Sequence, residues 1–308
     1  MDAADPIAIR GASTARAARL SSISMVARIA GVALLATASL SAFAASPPQR
    51  IVSMNVCTDQ LVWRIARRSR IASLSFIAAD PRTSAIAHEI GELHLNHGIA
   101  EEVLSLNPDL IVTGAFGFRP TVAVLRRLGY AVVELPMAEQ LTDVIASIAH
   151  LGEVLQEPSR AEALTRHFEQ ELGRLTYGGD GPRPLFVNYD ANGWTTGQTG
   201  LLADIVHRAG LSTSGDRLGF ESSNRISVET LLLLAPDLVD LGYAWDDPPA
   251  LASEQHRHPA VRAVLQHTPK IDIPDSAWLC GGPHSLDALE QLRGAREALV
   301  ESRQEPRW

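Results

Sequence analysis

From Arg50 onward, short apolar runs alternate with longer segments of helical period: RIVSM then TDQLVWRIA, RIASLS, AEEVLSL then DLIVTG, TVAVLRRLG then AVVELP. Alternation of this kind predicts a parallel sheet covered by helices. Pro108 before DLIV and Gly129 after VLRRL are stop signals for the helices they follow. After Pro136 the pattern changes to two successive helices, Leu141 to Leu155 and Ser159 to about Tyr177, broken at Pro158. The second carries apolar residues at Ala161, Leu164, Phe168, Leu172 and Leu175, spacings of three and four that mark one buried stripe. GGDGPRP, residues 178–184, is a breaker. A second alternating block follows: PLFVNYD, TGLLADIVHRAGL, ISVETLLLL, DLVDLG and SLDALEQLRGAREALV. The pattern is two α/β blocks joined by a long helix.

The blocks share an internal repeat. GIAEEVLSLNPDLIVTG, residues 98–114, superposes without gaps on ISVETLLLLAPDLVDLG, residues 226–242. Each copy reads as a short amphipathic helix with an acid in its first turn, Glu101 or Glu229, where the helix dipole favours one. A Pro-Asp-Leu step then leads into a buried strand.

The stretch MVARIAGVALLATASLSAFAA, from Met25 to Ala45, has a basic residue, an apolar run and a small-x-small site at Ala42-Phe43-Ala44. That is the layout of a secretory signal peptide cut after Ala44, with Met1 and Met25 both open as the start. Composition adds exclusions. The 308 residues are 46% apolar and 20% charged, an ordinary globular balance. The net charge of -8 becomes -10 once residues 1–44 are removed, which opposes nucleic-acid binding. Lys270 is the sole lysine, so P-loop and Schiff-base chemistry are excluded elsewhere in the chain. There is no G-x-S-x-G and no dinucleotide fingerprint. Two cysteines allow at most one disulfide and no C-x-x-C knuckle.

RIVSMNVCTDQLVWRIA, the paired AEEVLSLNPDLIV and ISVETLLLLAPDLV, LLADIVHRAGL and WLCGGPHSLDALEQL occur in this order around the long helix. In that order they resemble the periplasmic binding proteins of the iron-siderophore and cobalamin uptake family, which feed ABC importers. The resemblance covers nearly all of residues 50–295. It implies an α/β fold of two Rossmann-like lobes with parallel sheets, residues 45–157 and 179–308, joined by a single backbone helix, residues 158–178. A ligand is then held in the cleft between the lobes. It further implies a monomeric protein that is not an enzyme and has no cofactor of its own. Its partners are a permease and ATPase at the inner membrane, docked through Glu101 and Glu229. Its cargo is a metal chelate, a ferric siderophore or cobalamin and less readily heme.

Cleft candidates follow from position. A chelate with a flat or greasy periphery needs aromatic faces and a few polar anchors. VNYDANGWTTG supplies Tyr189 and Trp194, and Trp245 lies further on; Phe116 and Arg119 follow a strand where a parallel sheet puts its binding loops. Asn55, Cys57 and Thr58 follow the first strand, and Cys280 and His284 lie in LCGGPHS, where relatives often carry an arginine after the proline. A neutral imidazole there neutralises no carboxylate, but it can ligate a metal. Cys57 and Cys280 have two readings, thiols lining the pocket or one cross-link between lobes. His94, His97, His256, His258 and His267 raise the alternative of a bare zinc or manganese ion, and a periplasmic enzyme on the same fold is a further alternative.

Overall fold

The computed structural model describes residues 46–242 and 259–304, so the expected signal peptide, Trp245, His256 and His258 lie outside the described residues. In the first lobe, β1 (Ile51–Ser53), β2 (Ile71–Ser75), β3 (Leu95–Asn96), β4 (Leu110–Gly114) and β5 (Val132–Leu135) form one parallel sheet in the order β3-β2-β1-β4-β5. Its helices are α1 (Val56–Ile65) after β1, α2 (Ala100–Ser105) before β4 and α3 (Arg119–Arg127) before β5. Alternation along the strands sorts the two faces. Val52 and Ile111 meet Val103 and Leu125 of α2 and α3, while Ile51, Leu110 and Val112 meet the larger core with Leu61, Val62 and Ile65 of α1. The order reverses between β1 and β4, where chain leaving both strands diverges and opens a crevice at their carboxyl ends.

Helices α4 (Leu141–Val154) and α5 (Pro158–Leu175) follow. The sequence places a break at Pro158. In the structure the break is at Gln156, with φ of 52°, and Pro158 is the first helical residue, where its missing N–H costs nothing. At its start α5 is tied to the first lobe: Glu157 accepts from Arg70 at 2.5 Å and Arg67 at 2.8 Å. At its end it is tied to the last helix, α10 (Ser285–Gln304), through Arg174 to Glu290 at 3.0 Å and Arg293 to the Leu175 carbonyl at 2.9 Å.

The second lobe repeats the first on a smaller scale. β6 (Phe186–Asn188) pairs in parallel with β9 (Leu238–Asp240), flanked by single parallel bridges at Leu185–Ser212 and Val239–Lys270. Its other elements are the antiparallel pair β7 (Trp194–Thr195) and β8 (Asn224–Arg225), and helices α6 (Leu201–Arg208), α7 (Ser214–Leu218), α8 (Val228–Leu234) and α9 (Pro259–His267). One hydrophobic cluster runs from α1 through α4 and α5 into α6, α10, Phe186 and Trp278, so a continuous core underlies both sheets.

The repeated Pro-Asp-Leu has a structural meaning. Asp109 accepts from the backbone N–H of Gln49 at 2.6 Å and Arg50 at 2.9 Å, just ahead of β1, and Asp237 accepts from that of Leu185 at 2.8 Å, just ahead of β6. Each aspartate thus fastens the strand within its copy of the repeat, β4 or β9, to the neighbouring strand, β1 or β6. Asp109→Ala is expected to cost about 1–2 kcal/mol through two lost charge-assisted bonds. Urea denaturation would show this as a lower midpoint at unchanged slope, whereas an unchanged midpoint would refute it.

Candidate functional site

A cavity of about 220 Å³ opens at the carboxyl ends of β1, β4 and β5. Its first-lobe wall is Asn55, Cys57, Thr58 and Leu61 after β1, Gly114 to Phe116 at the end of β4, Leu135 to Glu139 after β5, and Ser147 of α4. Its second-lobe wall is Gly200 and Leu201 with Trp278 to Gly281. The reversal point of the first sheet is therefore roofed by the other lobe. Phe116, Met137 and Leu279 line it while remaining more than half exposed, at 63%, 62% and 53%. Among the described residues that line the cavity, Glu139 is the only charged side chain.

Cys57 and Cys280 form a disulfide in the cavity wall, with Cα atoms 5.1 Å apart and a sequence separation of 223. This resolves the two open readings in favour of the cross-link. The bridge does not obstruct the cavity, because it is part of the wall. Local chemistry holds both ends. Asn55 caps α1, its Oδ1 accepting from the Cys57 N–H at 2.9 Å, which fixes the first turn. On the other side the Cys280 carbonyl accepts from Ser285 Oγ at 3.0 Å and from His284 Nε2 at 2.8 Å. Gly281 has no room for a side chain: a Cβ there would lie 2.5 Å from that of Ala138, so the loops of the two lobes touch.

The remaining sequence candidates are distributed as follows. Asn55, Cys57, Thr58, Phe116 and Cys280 come together on the cavity. The Thr58 hydroxyl donates to the Asn55 carbonyl at 2.9 Å and meets Ser53 Oγ at 2.8 Å, a positioning role for the loop. His284 stands just behind the disulfide loop, its ring against Gly282, and burial pushes its pKa down to about 4, with the Cys280 carbonyl opposing and Arg64 adding to the depression. It is a neutral imidazole donating to a carbonyl. Arg119 opens α3 at an exposed position, outside the cavity lining. Tyr189 is buried among Leu185, Val187, Leu231 and Val261 of the second lobe, and Trp194 is exposed on β7, away from the cavity lining. Glu101 and Glu229 occupy the second residue of α2 and α8 respectively, both exposed.

Lining residues that sequence reasoning missed include Leu135 to Glu139, Leu201, Trp278 and Leu279. The signal for the first group was available: AVVELP is a strand of the same parallel sheet, so its carboxyl end belongs to the same crevice. Trp278 lies beside Cys280 but is mostly core, packed on Phe186 with ring centroids 6.4 Å apart.

Comparison with known proteins agrees with this geometry. Residues 93–239 match the periplasmic binding protein family. Likeness of fold to solved structures extends beyond that stretch. A periplasmic heme-binding protein, RhuT from Roseiflexus sp. RS-1, superposes with a TM-score of 0.68 at 21% identity, covering 82% of this chain and 99% of that one. Among curated sequences, a cobalamin-binding protein of Halobacterium salinarum is 23% identical over 212 residues, 68% of this chain and 58% of the relative, so the chain spans little more than half that relative's length. A vitamin B12-binding protein of Pectobacterium carotovorum subsp. carotovorum is 26% identical over 272 residues, 84% of this chain and 92% of the relative. Among the described residues, no helix is long and apolar enough to cross a membrane, and no three His, Cys, Asp or Glu side chains gather as a metal-ion site.

Proposed function

We propose that this periplasmic binding protein is the solute-binding component of an ABC importer that captures a metal chelate, foremost a corrinoid, in the cleft between its lobes. It acts without catalysis, after export on a signal peptide cut after Ala44, and presents the loaded cleft to a permease and its ATPase through Glu101 and Glu229. The observation that carries the reading is the cavity at the reversal point of the first sheet, walled by both lobes and rimmed by exposed Phe116, Met137 and Leu279. At about 220 Å³ it is smaller than the roughly 300–1,000 Å³ of a site that encloses a drug-sized ligand. A macrocycle would place one edge or substituent in it and lay its face over the apolar rim.

Charge selects among the chelates. Among the described lining residues a trianionic ferric siderophore or the propionates of heme would find no counter-charge, the one charged side chain there being Glu139, and an anion beside it would be repelled. A corrinoid, with neutral amide side chains, meets no such penalty. The names of the Halobacterium and Pectobacterium relatives support the same choice.

Calorimetric titration of residues 45–308 with cyanocobalamin, a catecholate ferric siderophore and hemin tests this. Saturable one-to-one binding of cyanocobalamin, tighter than either competitor, is expected. Phe116→Ala should weaken it about tenfold, the loss of roughly 1.4 kcal/mol of apolar contact. Failure of cyanocobalamin with saturable binding of either anionic chelate would overturn the corrinoid assignment.

A further inference from the structure

Glu139, the one charged side chain among the described residues that line the cavity, stands where the two lobes touch. Its backbone is held on both sides. The Glu139 and Gln140 N–H groups donate to Asp143 Oδ2 at 2.9 and 3.0 Å, part of the capping box that opens α4. The Leu141 N–H then donates to Asp204 of the second lobe at 2.8 Å. Before Glu139, the Ala138 side chain lies so close to Gly281 that a Cβ there would come within 2.5 Å of it. The Glu139 side chain itself is exposed, and no described residue donates to its carboxylate or pairs with it.

A second polar group on the same wall is also unengaged. Asn55 Oδ1 accepts from the Cys57 N–H at 2.9 Å, which identifies the other end of the amide as nitrogen. That Nδ2 lies beside cavity-lining Gly114, 3.5 Å from where a Cβ would be, and donates to no described residue. The wall therefore offers an acceptor after β5 and a donor after β1. Strand order puts β4 between them, so two strand spacings, roughly 10 Å, separate their origins. Exposed Phe116 and Met137 lie on the same rim. A ligand that covers them takes water away from the Glu139 carboxylate as well. That raises the cost of leaving the acceptor unmet and of setting a second anion beside it.

We infer that Glu139 and Asn55 form a site that selects primary carboxamides on the cargo: the Glu139 carboxylate accepts from an amide N–H, and Asn55 Nδ2 donates to an amide carbonyl. This rests on the proposed corrinoid-binding function and deepens it, because it names the state of the side chains that is selected. A primary amide brings both a donor and an acceptor, whereas a carboxylate brings acceptors only. The two are nearly isosteric, so shape cannot tell them apart. Hydrolysis of the amide that faces Glu139 removes the donor and sets a like charge in its place. A site built to receive a donor rejects the analogue that lacks it, so the fully amidated corrinoid is taken and its acid is refused.

The test compares cyanocobalamin with the monocarboxylic acids made from it by hydrolysing a single propionamide, each titrated into the protein at neutral pH. The isomer whose altered side chain faces Glu139 is expected to bind about tenfold or more weakly than cyanocobalamin. Glu139→Gln, which can meet either group, should bring the ratio of those two affinities to within about twofold of one, and Glu139→Lys should reverse it in favour of the acid. Asn55→Asp keeps an acceptor for the Cys57 N–H and so retains the cap on α1, but it replaces the donor with an anionic oxygen. It should weaken cyanocobalamin about tenfold. Acids that all bind as tightly as cyanocobalamin, a penalty that persists in Glu139→Gln, or an Asn55→Asp protein with the parent's cyanocobalamin affinity would overturn the inference and leave the functional proposal standing. Binding of neither cyanocobalamin nor its acids would overturn both.

Discussion

Reduction of the intact protein, or the double substitution Cys57→Ser/Cys280→Ser, is expected to lower Tm by roughly 10 °C and to loosen ligand binding in the same sample. The bridge closes 223 residues, nearly all of the described chain. Cross-linking so long a loop removes much of the unfolded chain's freedom, worth about 3–5 kcal/mol in the chain-entropy account. For a chain of this size each kcal/mol moves Tm by roughly 2–4 °C. The effect on binding has a separate cause. Cys57 belongs to the first-lobe wall of the cavity and Cys280 to the second, so the covalent bond fixes the distance between the two walls. Without it, that distance is held by noncovalent contacts such as Gly281 on Ala138, the Asp204 carboxylate accepting from the Leu141 N–H at 2.8 Å, and the Ser276 N–H on the Arg82 carbonyl at 2.9 Å. Thermal melts with and without a thiol reductant, each repeated with ligand, read both effects. An unchanged Tm on reduction would mean that the noncovalent core alone holds the lobes. A lower Tm with unchanged affinity would mean that the bridge serves folding and leaves the cleft untouched.

The pairing of those cysteines shows where sequence stops being informative. Their positions on loops of opposite halves are legible because each follows or precedes a well-patterned element, but the 5.1 Å between their Cα atoms depends on how two lobes dock, and periodicity carries nothing about docking. The order of strands and helices is readable throughout, since each buries one face at a regular period. The repeat is readable as well, because Asp109 and Asp237 perform the same local task in each lobe. Elements that escape have little local signature. β3 is two residues long and exists because Leu95 and Asn96 lie along β2. At the site, Tyr189 and Trp194 share an aromatic-rich segment, yet two strand ends and a turn send one into the second-lobe core and leave the other exposed. Leu279 belongs to the rim, and nothing in its sequence neighbourhood separates it from an ordinary core residue. Cavity-lining residues at the carboxyl ends of strands carry a readable signal; of those contributed by the facing lobe, Cys280 alone was a sequence candidate.

Asp240→Asn is expected to make the protein progressively more stable than the parent as pH rises from 5 to 8, with a difference that grows by about 3 kcal/mol over that window. Asp240 ends β9 and is 1% exposed. Its carboxyl is pushed up to about 7 by burial, against the opposing hydrogen bonds from the Gly242 N–H and Asn188, with Asp272 and Asp275 raising it further. The folded protein therefore holds a proton that the unfolded chain releases near its ordinary value of 3.8. Stability from such a group is fully present below the unfolded value and is lost as pH rises through the folded one. At about 1.4 kcal/mol per pKa unit the whole loss is roughly 4 kcal/mol, of which about 3 falls between pH 5 and 8. An asparagine there keeps a polar group facing Asn188 and Gly242 and has no proton to lose. Two other buried groups titrate nearby in pH, and the comparison cancels both. Asp59, pushed up to about 6 by burial against its bonds to Ser53 and Ser75, loses stability in the same direction in parent and variant alike. His284, depressed to about 4, works the other way: its contribution is intact above the unfolded value near 6.5 and is lost as pH falls toward 4. Urea denaturation of both proteins at pH 5, 6, 7 and 8 gives the difference directly. Parallel stability curves would show that Asp240 is already ionised at pH 5, and would remove the buried neutral carboxyl from the end of β9.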